Sequence, residues 1–230
     1  RQRHDIVDRF AVAPAQKTVV VPLGLDLDTL LGLDRDGARP STYGRADELV
    51  VGYAGRMVPV KDVPTLLTAF ATAQAAVPSL RLVLAGDGPG RPAAEALAAT
   101  LGIADRITWA GWISNLVEFY AALDIFALSS VNEGTPVAAI EAMAASLPVV
   151  STAVGGVPDV VQHGASGLLA PSGDANGLAD AIIQLARDPN LRRTMGRTGR
   201  ERALVHYSHR RLVDDMEALY VSRLARKRGG

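Results

Sequence analysis

Five short apolar runs alternate with segments of helical period, and this alternation sets the tightest limit on what the 230-residue chain can fold into. The runs are 49–54 (LVVGYA), 80–85 (LRLVLA), 106–110 (RITWA), 124–129 (DIFALS) and 148–152 (PVVST). The helical patterns between them cover 63–76, 92–101, 115–122 and 136–145. Short buried strands separated by helices of this size make βαβ units, hence an α/β chain with a parallel sheet and helices on both faces. Such sheets hold ligands at the carboxyl ends of their strands, where the βα loops emerge. The chemistry is therefore sought in those loops.

The flanks differ from the middle. Residues 18–22 (TVVVP) read as one more strand. The stretch 24–47 carries Gly24, Gly32, Gly37, Pro40, Gly44 and five aspartates, and reads as a long loop or linker. The last third is helical over 174–187, 190–204 and 209–226, with Ser208 as the N-cap of the final helix. In that helix Leu212, Val213, Met216, Leu219 and Tyr220 form an apolar stripe, expected to cover either the domain's own sheet or an interdomain cleft. The simplest division is a remnant and linker over 1–47, a β/α domain over 48–205 and a C-terminal helix over 206–230.

Composition removes several function classes. With 24 Lys+Arg against 24 Asp+Glu the net charge is zero, which argues against nucleic acid as a partner. The absence of cysteine excludes disulfides, a thiolate nucleophile and Cys-based metal sites, and fits a reducing cytoplasm. The longest uncharged run, Ala142 to Pro158, is broken by Pro148, Gly155 and Gly156 and is no spanning helix. The chain opens Arg1-Gln2-Arg3 with no initiator Met and no signal-like segment, and so reads as part of a longer protein. The basic run Arg192, Arg193, Arg197, Arg200, Arg202 and then Arg223 to Arg228 reads as a solvated face; peripheral contact with anionic lipid is the other reading.

Three motifs are weighed against simpler explanations. Gly86-Asp87-Gly88-Pro89-Gly90-Arg91 follows a strand and opens a helix, but Arg91 breaks the dinucleotide fingerprint, so a tight structural turn is the better reading. Asp26-Leu27-Asp28 matches a three-residue metal pattern of little specificity, away from the strand ends, and no metal is expected. His4, His163, His206 and His209 have no partner at metal-ligand spacing and read as surface or loop residues.

The strongest constellation lies in two strand-to-helix loops. One is Gly55-Arg56-Met57-Val58-Pro59-Val60-Lys61-Asp62; the other runs from Glu133 through Gly134, Thr135, Pro136 and Val137 to Glu141. Thr135 reads as an N-cap and Pro136 as a first-turn residue. A helix N-terminus offers unpaired N–H donors and about half a positive charge, which suits a phosphate, and Arg56 and Lys61 add two full charges. Glu141 lies roughly 7 Å along the helix from Pro136, the reach of a ribose attached to a bound diphosphate. Glu133 stands on the opposite side, where a sugar would lie.

These loops resemble glycosyltransferase family 4, whose members have the two-domain GT-B fold. The resemblance rests on Gly55-Arg56 with Lys61, Gly86-Asp87-Gly88-Pro89, Trp109-Ala110-Gly111-Trp112-Ile113 and the run from Glu133 to Ala144. Pro148-Val149-Val150, Gly155-Gly156-Val157-Pro158 and Gly164 to Leu169 continue it, so it extends from about Thr18 to the C-terminus. It implies a Rossmann-like, three-layer C-terminal half of a GT-B enzyme that binds a UDP- or GDP-sugar, retains the anomeric configuration and uses neither metal nor other cofactor. Arg56 and Lys61 look like its diphosphate ligands and Glu141 like its ribose ligand. Glu133 is similar to the carboxylate that orients the donor sugar, Gly134 to Val137 lend backbone N–H groups, and Ile113 and Asn115 fall on its base-contacting loop. The catalytic set implied is Arg56, Lys61 and Glu133. The further partners implied are the chain's own N-terminal acceptor domain and an acceptor sugar or lipid-linked sugar. Asp62, Ser146 and Leu23 depart from the family's usual glycine, glycine and asparagine. Two rival readings remain at this point: a nucleotide-sugar-binding module without activity, and a nicotinamide-dependent oxidoreductase domain.

Overall fold

A computed structural model describes residues 4–34 and 39–228. Gly37 of the expected linker lies outside the described residues, as do the side chains of Arg226, Lys227 and Arg228 at the end of the basic run. The expected strands form at β1 (Leu49–Ala54), β2 (Leu80–Ala85), β3 (Ile107–Gly111), β4 (Ile125–Leu128) and β5 (Val149–Thr152). A sixth, β6 (Gly167–Ala170), pairs with β5 in register Val150↔Leu168. All six are parallel, in the order β3-β2-β1-β4-β5-β6.

The helices are α1 (Asp28–Leu31), α2 (Val63–Ala76), α3 (Arg91–Thr100), α4 (Leu116–Ala121), α5 (Val137–Ala144), α6 (Val157–Val160), α7 (Ala175–Arg187), α8 (Pro189–Tyr207) and α9 (His209–Arg228). The strand order runs one way from β1 to β3 and the other way from β4 to β6. With right-handed crossovers, α2 and α3 then cover one face while α5 and α6 cover the other. In α2 the buried residues Val63, Leu66, Leu67, Phe70 and Ala73 recur at helical spacing and pack toward α7, whose Leu178, Ile182 and Leu185 are buried in turn. The β1 and β4 residues Val50, Val51, Ile125 and Phe126 are fully buried, as sheet strands covered on both sides require.

Two expectations need correction, and one of two alternatives is set aside. Residues 18–22 have no regular secondary structure and join no ladder among the described residues; Val19 and Val20 are 50% and 60% exposed, so this β-branched run has no described strand to pair with. The stretch 24–47 is not plain loop, because α1 forms within it and Leu27 and Leu30 sink into the core. Leu25 fastens it, accepting from the His209 N–H and donating to the Tyr207 carbonyl, both at 2.8 Å. The apolar stripe of α9 does not cover the sheet: Val213 and Tyr220 are exposed, while Leu212, Met216 and Leu219 are half-buried. Ser208 does serve as the cap of α9, its Oγ accepting from the Arg211 N–H at 3.4 Å. Among the described residues no helix is long and apolar enough to cross a membrane.

One buried carboxylate anchors the start of β1. Arg81 donates to both oxygens of Glu48, at 3.1 and 3.2 Å, and the Arg45 N–H adds a third bond at 2.9 Å. Arg81 first, then Arg45, hold this carboxyl down at about 2, against an ordinary value of 4.5. Because the folded value is the lower one, the stabilisation is complete above about pH 4.5 and is lost as pH falls toward 2. Urea unfolding across this range is expected to show a steep acid limb that flattens in Glu48→Gln; parallel limbs in the two proteins would deny Glu48 this role.

Candidate functional site

The strand order reverses between β1 and β4, and the loops leaving these two strands carry most of the residues marked by the sequence. The β1 loop is fastened by its neighbours. The Gly55 N–H donates to Ala85 (3.0 Å), the Met57 N–H donates to the Asp87 carbonyl (2.9 Å), and the buried Tyr53 hydroxyl donates to the Arg56 carbonyl (3.2 Å). Gly86 sits at φ +114°, and a Cβ there would collide with the Gly55 carbonyl oxygen. The glycine-rich β2 loop is thus a close-approach device that shapes the β1 loop, in line with its structural reading.

The β4 loop is tied in on both sides. The Val131 N–H donates to the Val60 carbonyl (2.9 Å), and the Ser129 hydroxyl lies within bonding reach of the carbonyls of Lys61 (3.0 Å) and Asp62 (2.8 Å). On the far side the Gly156 N–H donates to the Glu133 carbonyl at 2.9 Å. Gly155, at φ +50°, comes so close that a Cβ would strike the same carbonyl.

This scaffold brings Lys61 and Glu133 together. The Lys61 ammonium and the Ser130 hydroxyl both donate to Glu133 Oε1, each at 2.6 Å, and the Glu133 side chain is only 9% exposed. Among the described residues no donor reaches Oε2, which stays available to a ligand. Arg56 is exposed, and no acceptor among the described residues meets its guanidinium. One cation is therefore spent on a carboxylate and the other is free, which leaves the cluster one positive charge in surplus.

The start of α5 differs from expectation. Pro136 has ψ 87° and is itself the flanking residue, its carbonyl accepting from Ala139 (3.1 Å) and Ile140 (3.2 Å). Helical backbone begins only at Val137, so Thr135 lies one position too early to cap it and no side chain does so. The N–H groups of Gly134, Thr135, Val137 and Ala138 consequently have no acceptor among the described residues. They form an uncapped positive helix end next to the Lys61–Glu133 pair, with Arg56 exposed on the same β1 loop as Lys61. Further along α5 the Tyr120 hydroxyl donates to Glu141 Oε2 at 2.8 Å. Burial raises the Glu141 carboxyl above its ordinary value, and the Tyr120 bond opposes that shift.

Ile113 and Asn115 follow β3, two places from β1 in the sheet, and are not brought against the β4 loop. Ile113 packs half-buried on the core. Asn115 caps α4, its Oδ1 accepting from the Glu118 N–H at 3.1 Å. Sequence reasoning missed Ser130 and Tyr120. Ser130 stands three residues before Glu133 and was within reach of a spacing argument, whereas Tyr120 lies 21 residues from its partner and carries no local signal. A cleft of about 840 Å³ opens on the Glu133 side, lined by Gly134, Gly155, the segment Val19 to Leu23 and His206. Asp26 and Asp28 acquire a neighbour that spacing did not reveal: His209, folded back by the Leu25 bridge, brings one ligand atom within 4.8 Å of theirs. Both carboxylates are exposed, and Arg210 already pairs with Asp28 at 3.1 Å.

Residues 34–202 match the family described as glycosyl transferases group 1. The chain is 34% identical over 189 residues to an N-acetyl-alpha-D-glucosaminyl L-malate synthase of Bacillus anthracis, with 82% of this chain and 49% of that protein covered. It is 35% identical over 235 residues to a D-inositol 3-phosphate glycosyltransferase of Saccharomonospora viridis, covering 97% and 54%. The chain thus spans about half the length of the curated relatives it matches. Among solved structures, a sucrose-phosphate synthase from Thermosynechococcus elongatus superposes with a TM-score of 0.80 at 31% identity, over 97% of this chain and 57% of that one. The sheet and its flanking helices are those of a GT-B half.

Proposed function

The chain belongs to the group 1 glycosyl transferases, and we propose that it is the donor-binding half of a retaining enzyme that transfers a sugar from a UDP- or GDP-sugar. The observation that carries this is the junction of β1 and β4. The Lys61–Glu133 pair links the β1 loop, which also carries exposed Arg56, to the start of α5, where four N–H groups have no acceptor among the described residues, with Glu141 one turn further along. A diphosphate fits the N–H groups and Arg56. The remaining donors of Lys61 reach toward the same anion, and Glu141 Oε1 accepts from the ribose hydroxyls. Glu133 Oε2 accepts from the donor sugar while Ser130 and Lys61 hold the other oxygen. Ile113 and Asn115 lie toward the base.

Catalysis in this reading is stabilisation of charge on the departing diphosphate by fixed donors. No metal or other cofactor takes part. The division proposed is a remnant of the acceptor domain and linker over 1–47, the nucleotide-sugar domain over 48–205 and a C-terminal helix over 206–230. The acceptor, a sugar or lipid-linked sugar, is brought by an N-terminal domain in the cytoplasm or at the membrane surface. Holding two substrates in near-attack geometry is worth about 7–11 kcal/mol, and a donor half alone lacks it. The purified chain is therefore expected to bind nucleotide, with or without EDTA, and to transfer negligible sugar, while the chain joined to an acceptor domain transfers it. Robust transfer by the 230-residue chain alone, lost on Glu133→Ala, would overturn the half-enzyme reading; a tenfold EDTA-sensitive loss of nucleotide affinity would overturn its metal independence.

A further inference from the structure

The opposite end of the sheet holds a second charged cavity. Its volume is about 750 Å³, and it opens beside Asp124 and Pro148, the residues just ahead of β4 and β5, whereas the donor site lies beyond their carboxyl ends. Four arginines of α8 line it, Arg192, Arg193, Arg197 and Arg200, against two carboxylates, Asp34 and Asp124. Asp124 is also shared with Arg39, at 3.7 Å, and it accepts the Val50 N–H. Among the described residues, the lining of this one cavity thus carries twice as many arginines as carboxylates, in a chain of zero net charge.

Three of the arginines are held by the fold. Arg192 donates to the Leu185 and Ala186 carbonyls at 2.6 and 2.9 Å, Arg200 donates to the Leu31 carbonyl, and Arg193 donates to Asn190 Oδ1 at 2.6 Å. Bonds to neutral oxygens orient a guanidinium without neutralising it. Arg197 meets no acceptor among the described residues. The start of α8 contributes little of its own, since Asp188 already caps the N–H groups of Asn190 and Leu191.

A second observation comes from Ser146, which lines the same cavity at φ +58°, a region where glycine is the unstrained choice. Its hydroxyl has no partner among the described residues. A strained residue that keeps a side chain here puts a hydroxyl-bearing residue among those lining the cavity. Planar guanidinium forks match phosphate oxygens two at a time, and a hydroxyl adds a third kind of donor.

We propose that this arginine-lined cavity binds a phosphate ester, at a site separate from the donor nucleotide. The ester is either a soluble phosphorylated compound or the headgroup of an anionic phospholipid. The test uses the full chain carrying Arg56→Gln, which weakens diphosphate binding at the donor site, so that failure here is independent of the donor reading. Calorimetric titration with pyrophosphate is expected to give an isotherm weakened at least tenfold by Arg193→Gln with Arg197→Gln, two exposed residues whose loss leaves the core intact. Ser146→Gly relieves backbone strain, and is expected to keep the fold while weakening pyrophosphate severalfold. Sedimentation with phosphatidylglycerol vesicles but not phosphatidylcholine vesicles, abolished by the double change, would assign the headgroup; pyrophosphate binding without sedimentation would assign a soluble ester. Absence of pyrophosphate binding at millimolar concentration, or an isotherm unchanged by the double variant, overturns the proposal.

Discussion

Replacing Lys61 by methionine is expected to lower the unfolding free energy by about 2–3 kcal/mol, and adding Glu133→Gln is expected to restore most of it. Removing one member of a buried ion pair costs about 3–5 kcal/mol because the other charge is left unpaired in a poorly hydrated place. Lys61 is a quarter exposed, so water screens part of that cost and the smaller figure applies. Glu133 is 9% exposed, and among the described residues its carboxylate accepts only from Lys61 and Ser130. In the double variant no charge is stranded, which is why stability returns while the site does not. Urea unfolding of wild type, both singles and the double closes the cycle. A Lys61→Met loss below about 0.5 kcal/mol would mean that the pair is screened like a surface one, and Lys61 would then owe nothing to Glu133.

Glu141→Ala is expected to weaken UDP or GDP by about 1.5–3 kcal/mol, roughly 10- to 150-fold, the range for losing a charged hydrogen-bond acceptor. The carboxylate is pre-oriented: Tyr120 holds Oε2 at 2.8 Å and leaves Oε1 to the ligand. Tyr120→Phe keeps the ring and removes the hydroxyl, with its bond to Glu141 and its longer contact with the Ala138 carbonyl at 3.3 Å, so a smaller loss is expected at neutral pH. Its signature lies in acid. Burial already raises the Glu141 carboxyl and the Tyr120 bond opposes this, so the variant's carboxyl protonates at higher pH and nucleotide affinity falls off earlier as pH drops. Equal affinity in wild type and Glu141→Ala would remove the ribose assignment, and coincident pH profiles would reduce Tyr120 to packing.

How far the sequence reached follows from which forces are local. Five strands were legible because each is an apolar run bounded by turn residues, with a helix of clear period behind it. The sixth, Gly167–Ala170, lies on a sheet edge and offers only Leu168 and Leu169 as large apolar residues, with Gly164 ahead of it and Gly167 at its start. The run 18–22 failed for the opposite reason: Val19, Val20 and Val21 have strand propensity, but a strand also needs a partner, and pairing is a property of the whole fold. At the site, Arg56, Lys61, Glu133 and Glu141 were legible as loop and helix residues at strand ends. Their division of labour was not. That Lys61 is committed to Glu133 while Arg56 stays free depends on how the loops of β1 and β4 are sewn together by Ser129 and Val131. The helix start was misread by one residue because Pro136 takes a non-helical ψ of 87°, which puts Thr135 out of capping reach.

The central claim is that the free Arg56 and the uncapped start of α5 form a diphosphate site. Calorimetry of the purified chain with UDP, GDP and NAD, repeated on Arg56→Ala, tests it most directly. UDP or GDP is expected to bind, NAD is not, and Arg56→Ala is expected to cost at least tenfold in affinity. Binding of NAD as tight as that of the diphosphates, or diphosphate affinity unchanged in Arg56→Ala, would contradict it.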